Sequence, residues 1–312
     1  MFVTGSFVYA QAKEENLTYA ESRSKDSSGT NAVTTNSYST LSYDFEPAFK
    51  VGLGFVIGCD NWDFYAEYFR YHASVGSGSF SGPDSTNSVI TTTCWYLSPF
   101  GIQDHSGSLS ANTSWRLNFD SVDFNLRRRY FVGQCLVFQT AVGLRARWID
   151  QEQKTTYTNV LFDTITETVC VKNSSDSWGI GPRAAIDTEW YFCGAFRFFG
   201  NAAMSILYTD YDSIKSNATR EVIGTIPPVS ETYTSSRSYC FLKPDASIAL
   251  GLGWGDYWCC NDWFFDLAIS YEFHTLWNQN VLPQLKDCSQ DPSSFFGDLY
   301  IHGLVITARL DF

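Results

Sequence analysis

Ser270, Glu272 and His274 are the side chains whose types and spacing come closest to a catalytic set. They occupy every second position, so they share one face of a predicted strand. A hydroxyl beside an imidazole and a carboxylate could serve in hydrolysis. Polar neighbours on the water-facing side of a strand give the same pattern, and the glycine-rich segment 251–255 lacks the helix that follows a phosphate-binding loop. We therefore expect no enzyme, no catalytic residue and no cofactor.

Cysteine is the other reactive residue type, with nine copies in the chain. Five of them occupy four short turn-like segments and are the candidates for disulfides or cross-links: Cys59, Cys135, Cys193, Cys259 and Cys260. An odd total leaves at least one thiol free or paired with another molecule. Two hypotheses stay open, namely cross-links to another copy or to cysteine-rich envelope proteins, and staples within the chain. No CxxC or paired-histidine spacing indicates a metal site.

β-Strands must position these residues, and the last segment, residues 297–312, shows their pattern. Its apolar face is formed by Leu304, Ile306, Ala308 and Leu310. Its other face is mixed, and the sequence ends on an aromatic residue, Phe312. In a barrel of the bacterial outer membrane the apolar face meets lipid and the mixed face meets the lumen. We predict that Phe312 closes the barrel and that this strand meets the barrel-assembly machinery.

The composition narrows the class of protein. Aromatic residues make up 17% of the 312 residues, which suits barrel strands and interfacial girdles, and charged residues make up only 17%. The net charge of −12 argues against a nucleic-acid partner. No apolar run approaches the length of about 20 residues that a spanning helix needs. A membrane protein with this composition is a barrel.

Ten segments of the chain alternate with period two. They are 2–9, 51–57, 62–71, 115–131, 136–148, 178–192, 196–208, 243–258, 263–273 and 297–312. Long polar stretches, predicted as loops, separate them at 21–40, 75–110, 150–176, 210–237 and 277–294, and short turns separate them elsewhere. This long and short rhythm is typical of outer-membrane barrels. The fold class is therefore an all-β, antiparallel transmembrane β-barrel of about ten strands, forming one domain over residues 1–312. Twelve strands are the alternative if 75–110 hides a hairpin.

Charged residues recur on the faces opposite the apolar ones. The lumen-facing candidates are Lys50, Asp123, Arg127, Arg145, Arg147, Arg183, Asp187, Glu189, Arg197, Lys243, Asp245, Asp266, Glu272 and Arg309. Such side chains could set the ion selectivity of a narrow lumen. They could also pair into a plug, because ten strands enclose a space that side chains can largely fill.

Two segments resemble a known family: WIDQ at 148–151 and WGIGPRA at 178–184. Three shorter ones fit the same pattern, namely FVT at 2–4, RRYF at 128–131 and FGNAA at 199–203. The chain resembles the Legionella-type pore-forming major outer membrane proteins, and its cysteine count points to the branch found in chlamydia-like bacteria. The resemblance implies an outer-membrane barrel that forms pores. It assigns no catalytic or selectivity residue.

The expected function is that of a porin-like channel for passive diffusion of ions and small hydrophilic solutes. The alternative is a structural or adhesive surface barrel, cross-linked into the envelope, with little conductance. The expected location is the bacterial outer membrane, with lipid as a partner. No signal peptide precedes the first strand, so we take the sequence as mature or truncated.

Overall fold

The computed structural model describes residues 1–26, 33–58, 60–81, 108–161, 165–224, 227–258, 263–282 and 296–312. Its strands are β1 (Phe2–Glu14), β2 (Ala20–Asp26), β3 (Val33–Ser39), β4 (Phe45–Ile57), β5 (Trp62–Ser81), β6 (Ser108–Val132), β7 (Leu136–Leu161), β8 (Ile165–Cys193), β9 (Phe196–Ile223), β10 (Val229–Trp258), β11 (Trp263–Asn280) and β12 (Gly297–Asp311). Ten of these close into an antiparallel barrel in the order β1-β12-β11-β10-β9-β8-β7-β6-β5-β4. The remaining two, β2 and β3, pair as a separate hairpin. The predicted ten-stranded barrel is confirmed.

The first and last strands close the wall. β1 pairs with β12 over its whole length and with β4 on its other edge. The N–H of Phe312 donates a hydrogen bond of 2.9 Å to the carbonyl of Met1. The Met1 amino group in turn donates to the carbonyl of Phe312 at 3.1 Å. This closure leaves neither strand as a free edge, which a bilayer would not tolerate.

A band of exposed apolar side chains surrounds the half of the barrel next to the short turns. It covers residues 3–9 of β1, 178–190 of β8, 196–208 of β9, 263–273 of β11 and 304–310 of β12. In each segment the exposed apolar residues alternate with inward-facing ones, as membrane strands require. The longer of these segments are long enough for tilted strands that cross a bilayer. The alternation therefore separates residues that face the lipid from residues that face the lumen.

The short turns use residues that tolerate left-handed backbone. Asp60 and Asn61 have φ of 61° and 58°, and Gly133 and Gly194 have φ of 72° and 54°. Glycine, asparagine and aspartate are the residues that enter this region at least cost. By the general rule for outer-membrane barrels these turns lie on the periplasmic side.

The predicted long loops are wrong in extent. β7 and β8 continue through most of 150–176, and β9 and β10 continue through most of 210–237. Segment 21–40 contains the β2–β3 hairpin, β5 and β6 take up the ends of 75–110, and β11 extends into 277–294. Outside the bilayer both faces of a strand can be polar, so no apolar period marks it. The centre of 75–110, residues 82–107, lies outside the described part of the chain. Among the described residues there is no helix with the length and apolar character needed to cross a membrane.

Candidate functional site: the barrel lumen

A cavity of about 250 Å³ occupies the lumen within the membrane band. Eight basic side chains line it: Lys50, Arg127, Arg129, Arg145, Arg147, Arg183, Arg197 and Arg309. Six acidic side chains line it as well: Glu67, Asp123, Asp187, Glu189, Asp266 and Glu272. Twelve of the fourteen charged candidates of the sequence therefore line this space. The other two, Lys243 and Asp245, line a second cavity of about 10 Å³ on the outward side.

Sequence reasoning missed three inward-facing charges in this region. Glu67 and Arg129 line the cavity, and Asp63 is buried at its periplasmic end, where it accepts from Arg127 at 2.5 Å. The sequence does contain a signal for two of them. Asp63 and Glu67 are separated from the buried Phe69 by even numbers of residues, so all three lie on the same face of β5. Aromatic residues on both faces of this strand obscured the alternation.

An ion-pair network centred on Arg145 crosses the lumen. Arg145 faces Asp123 across the β6–β7 ladder and donates two hydrogen bonds of 2.6 Å to its carboxylate. The same guanidinium reaches Asp245 on β10 at 2.9 Å, three strands away around the wall. Asp245 also forms an ion pair with Arg147 at 2.7 Å and accepts a hydrogen bond from Ser205 at 2.5 Å. The Arg145–Asp245 contact therefore crosses the lumen and does not run along its wall. We call an ion-pair contact of this kind a chord.

A second chord joins Lys50 on β4 to Glu272 on β11, which are also three strands apart. His274 lies 3.1 Å from the same carboxylate, and its ring stacks on Phe69 with 6.0 Å between centroids. The ammonium of Lys50 lies 5.0 Å from the centre of the Phe69 ring. The charges are thus held in fixed places by partners on distant strands, and Ser270 is buried on the same face.

A third ion pair joins side chains on β9 and β11 and crosses the intervening strand β10 at a glycine. Arg197 on β9 pairs with Asp266 on β11 and lies 3.4 Å from Glu189. The intervening strand β10 places Gly253 between them, and a Cβ there would lie 2.7 Å from the Arg197 guanidinium carbon. The absent side chain at Gly253 makes the crossing sterically easy. Gly253 is therefore a small residue of the lumen wall.

An apolar cluster closes the lumen on the outward side of the chords. It combines inward-facing wall residues, of which Tyr71, Leu117, Leu299 and Ile301 are among the most buried, with side chains from segments between the strands. The inserted side chains are Leu17, Leu41 and Leu282, each at most 5% exposed. We call this set the apolar layer. A cross-section filled by hydrocarbon opposes the entry of water and ions.

The chain enters the lumen through a turn after β1. The N–H of Glu15 donates to the carbonyl of Asp298 on β12 at 3.0 Å, and its carbonyl accepts from Asn280 on β11 at 2.7 Å, so these two strands hold the end of β1. Asn16 then adopts a left-handed conformation with φ of 64°. This conformation reverses the chain and carries Leu17 and Tyr19 inward, where both are buried. Asparagine is one of the few side chains that permit such a turn.

One carboxyl group and two tyrosine hydroxyls near this turn have raised pKa values. Burial raises the pKa of Glu14 well above its ordinary value, although a hydrogen bond from Gln151 at 3.1 Å and the charge of Lys243 act against this. Burial also raises the pKa of Tyr43, which donates to the Glu14 carbonyl at 2.8 Å. Burial and the nearby Asp298 raise the pKa of Tyr300 to about 12. These groups favour their neutral forms beside the apolar layer.

A family model described as the Legionella pneumophila major outer membrane protein precursor matches residues 2–312. The chain belongs to this family. Membership and the closed barrel together place the protein in the bacterial outer membrane, as expected from the sequence. The branch found in chlamydia-like bacteria stays a prediction.

The solved structures that match the chain are only distantly similar to it in sequence and in structure. The outer membrane protease OmpT from Escherichia coli is 11% identical, with a TM-score of 0.41, over 99% of this chain and 95% of that one. A Pseudomonas aeruginosa FadL homologue is 8% identical, with a TM-score of 0.27, over 99% and 89%. The Pseudomonas putida toluene transporter TodX is 9% identical, with a TM-score of 0.22, over the same shares. No curated protein matches the sequence.

The cysteines of this major outer membrane protein family member are only partly described. Cys135 and Cys240 are exposed free thiols and Cys170 is a partly buried one. The side chains of Cys59, Cys193, Cys259 and Cys260 lie outside the described set, so cross-linking through the turns stays a prediction. Within the described ranges no cluster of three or more His, Cys, Asp or Glu is arranged to hold a metal ion.

Proposed function

We propose that this protein is a gated channel for passive diffusion of ions and small hydrophilic solutes across the outer membrane. The observation that carries the proposal is the cavity of about 250 Å³ lined by fourteen charged side chains inside the membrane band. Charges in this position stabilise water and ions in a region where lipid would exclude them. A barrel that served only as an anchor would have no need of so many.

The apolar layer supports a gate in this proposal. Leu17 and Leu41 come from the segments that flank the β2–β3 hairpin, and Leu282 follows β11. These three belong to connecting segments, so they can leave the lumen without any change in strand pairing. When they leave, the charged cavity connects to the outside. Passive flow then depends on how often the segments move.

The nearly balanced charge of the cavity bears on selectivity. Eight basic and six acidic side chains line it, and most of them form ion pairs. Paired charges give a weak field along the axis, with a small excess of positive sign. We therefore expect a weak preference for anions, although the whole chain carries −12.

Bilayer recording of the refolded protein tests this function. Discrete current steps in a potassium chloride gradient are expected, with a reversal potential displaced slightly to the anion side. Heat-modifiable gel mobility confirms that the recorded protein is folded. A folded barrel that gives no steps, even when the apolar layer is opened by substitution, would refute the channel.

The second candidate is a structural barrel without conductance, and the apolar layer favours it. In the described conformation hydrocarbon and cross-lumen ion pairs together occupy much of the interior. The turn cysteines would then join neighbouring copies or cysteine-rich envelope proteins on the oxidising periplasmic side. Non-reducing gels of whole envelopes distinguish the two roles of these thiols. Disulfide-linked oligomers support cross-linking, and a monomer band alone argues against it.

We further propose that the protein has no hydrolytic activity. His274 shares Glu272 with Lys50, and its ring is fixed against Phe69. Hydrolysis by this set would need a hydrogen bond between the nucleophilic hydroxyl and the imidazole, and among the described residues none joins Ser270 to His274. Incubation of the folded protein with ester and peptide substrates checks this, and turnover that disappears on His274→Ala would contradict it.

A further inference from the structure

A row of buried polar side chains crosses four neighbouring strands on the outward side of the chords. Trp115 on β6 pairs with Gln153 on β7, Gln153 with Asn173 on β8, and Asn173 with Ser216 on β9. Every one of these side chains faces inward and is at most 5% exposed. We call this set the polar row. Adjacent members lie at the spacing of directly opposite residues, about 5 Å.

Each member of the polar row has a hydrogen-bonding atom without a partner. These atoms are Trp115 Nε1, Gln153 Nε2, Asn173 Oδ1 and Ser216 Oγ. Two more unpartnered oxygens lie next to the row, Gln151 Oε1 and Glu14 Oε1. Buried polar groups in native proteins are almost always hydrogen-bonded, since each one left alone costs about 1–3 kcal/mol. Six such atoms in one place indicate a missing hydrogen-bonding occupant.

The row also divides the outer lumen into two unlike halves. β1, β4, β5 and β12 contribute buried apolar residues there, which form much of the apolar layer. β7, β8 and β9 contribute amides and hydroxyls, among them Ser175, Ser177 and Thr209, beside buried apolar residues such as Val169 and Val171. A solute that passes the apolar layer therefore meets amides and hydroxyls mainly on the side of β7, β8 and β9. That wall holds no basic side chain among the row's members, in contrast to the charged cavity.

We propose that the polar row is a binding site for neutral polyhydroxylated solutes, and this rests on the proposed channel function. Trp115 Nε1 donates only, Asn173 Oδ1 accepts only, and Ser216 Oγ does both. A hydroxyl donates and accepts at one atom, so adjacent hydroxyls match a row in which donors and acceptors stand side by side. Ions would gain little from it, because no net charge is offered by the row itself. The row thus selects sugars or polyols on the outward side of the charged cavity, which admits ions and solutes alike.

The segment after β1 covers this site in the closed conformation. Tyr157 on β7 donates to the Tyr19 carbonyl at 2.8 Å, and Gln151 donates to Glu14 at 3.1 Å. Those two bonds leave the six atoms above unsatisfied. A polyol that reaches the row supplies their partners, which favours the conformation with the segment displaced. Solute binding and opening are therefore coupled.

Swelling of proteoliposomes in isotonic mannitol and in glycine betaine, a solute of small size without a hydrogen-bond donor, tests the site. Gln153→Leu and Asn173→Leu each remove polar atoms at nearly constant volume and should slow mannitol entry about fivefold to tenfold. The betaine rate and the potassium chloride conductance should stay within about twofold of wild type. Ser216→Ala is a milder second variant. Asn217→Leu, on the outer face of the same strand, is the matched control.

The outcomes separate this site from the channel itself. A conducting wild type whose variants lose mannitol entry selectively supports the row as a binding site. A conducting wild type that excludes mannitol, or variants that slow mannitol and betaine equally, overturns the site and leaves the channel standing. Absence of ion conductance in folded protein, with Leu17→Ser included to open the apolar layer, overturns the proposed function and the site with it.

Discussion

Neutralising Asp245 by Asp245→Asn is the most informative perturbation of the lumen. Its carboxylate is 1% exposed and holds Arg145 at 2.9 Å, Arg147 at 2.7 Å and Ser205 at 2.5 Å. The substitution keeps the volume and one acceptor atom, but it removes the carboxylate that pairs with Arg147 and leaves Arg145 with the carboxylate of Asp123, which Arg183 also contacts. Removing one partner of a buried ion pair costs about 3–5 kcal/mol.

Because one acceptor is retained, we expect a loss of unfolding free energy at the lower end of this range, about 3 kcal/mol. This corresponds to about a hundredfold change in the folding equilibrium. The assay is urea unfolding of the barrel in detergent, followed by tryptophan fluorescence and by heat-modifiable gel mobility. Reversal potentials of the folded fraction should move further to the anion side, because the cluster loses one negative charge. Asp212→Asn is the matched control, since Asp212 is exposed on β9.

Equal unfolding midpoints for Asp245→Asn and wild type would refute the reasoning, because a buried carboxylate with three close partners cannot be neutral in its effect. An unchanged reversal potential in a conducting variant would show that the Arg145 cluster lies off the path of ions.

Three further predictions follow from the outer lumen and the wall. Because the pKa of Glu14 is raised in the folded protein, stability should fall as pH rises from the ordinary carboxyl pKa through the folded one. Glu14→Gln should remove that slope in urea unfolding at pH 4 to 9, and an unchanged slope would contradict the burial of Glu14. Leu17→Ser should raise the fraction of time the channel conducts severalfold in bilayers, since it places a hydroxyl in the apolar layer, and a silent, folded variant would argue against gating there. Gly181→Ala should reduce refolding yield, because a Cβ at that position would lie 1.9 Å from the Ile206 carbonyl oxygen, whereas Gly5→Ala, with open space, should refold normally.

Period-two alternation predicted the membrane half of the barrel well. Each strand there has one face in lipid, so residues such as Ile248, Leu250 and Leu252 must be apolar while their neighbours are free to differ. The lipid constraint makes the pattern visible in the sequence. The same constraint explains why the charged residues Arg145 and Asp266 could be assigned to the lumen face.

The outer half could not be predicted in the same way. Water on one side and a filled lumen on the other allow polar residues on both faces, so segments 150–176 and 210–237 carry no period although they form strands. The apolar layer depends on single leucines within polar stretches, such as Leu17 and Leu41, and one apolar residue gives no periodic signal.

Pairing across the lumen is hidden for a different reason. Arg145 and Asp245 are 100 residues apart in the chain and three strands apart in the wall. Sequence spacing within a strand says nothing about which side chains meet through the interior. Only the closed order of ten strands brings them together.

Single-channel recording of the refolded wild-type protein in a planar bilayer, with a potassium chloride gradient, tests the central claim most directly. A gated lumen predicts discrete steps separated by long closures, a reversal potential slightly to the anion side, and longer openings for Leu17→Ser. A silent wild type and a silent Leu17→Ser, both folded by heat-modifiable mobility, would contradict the channel and favour the structural barrel.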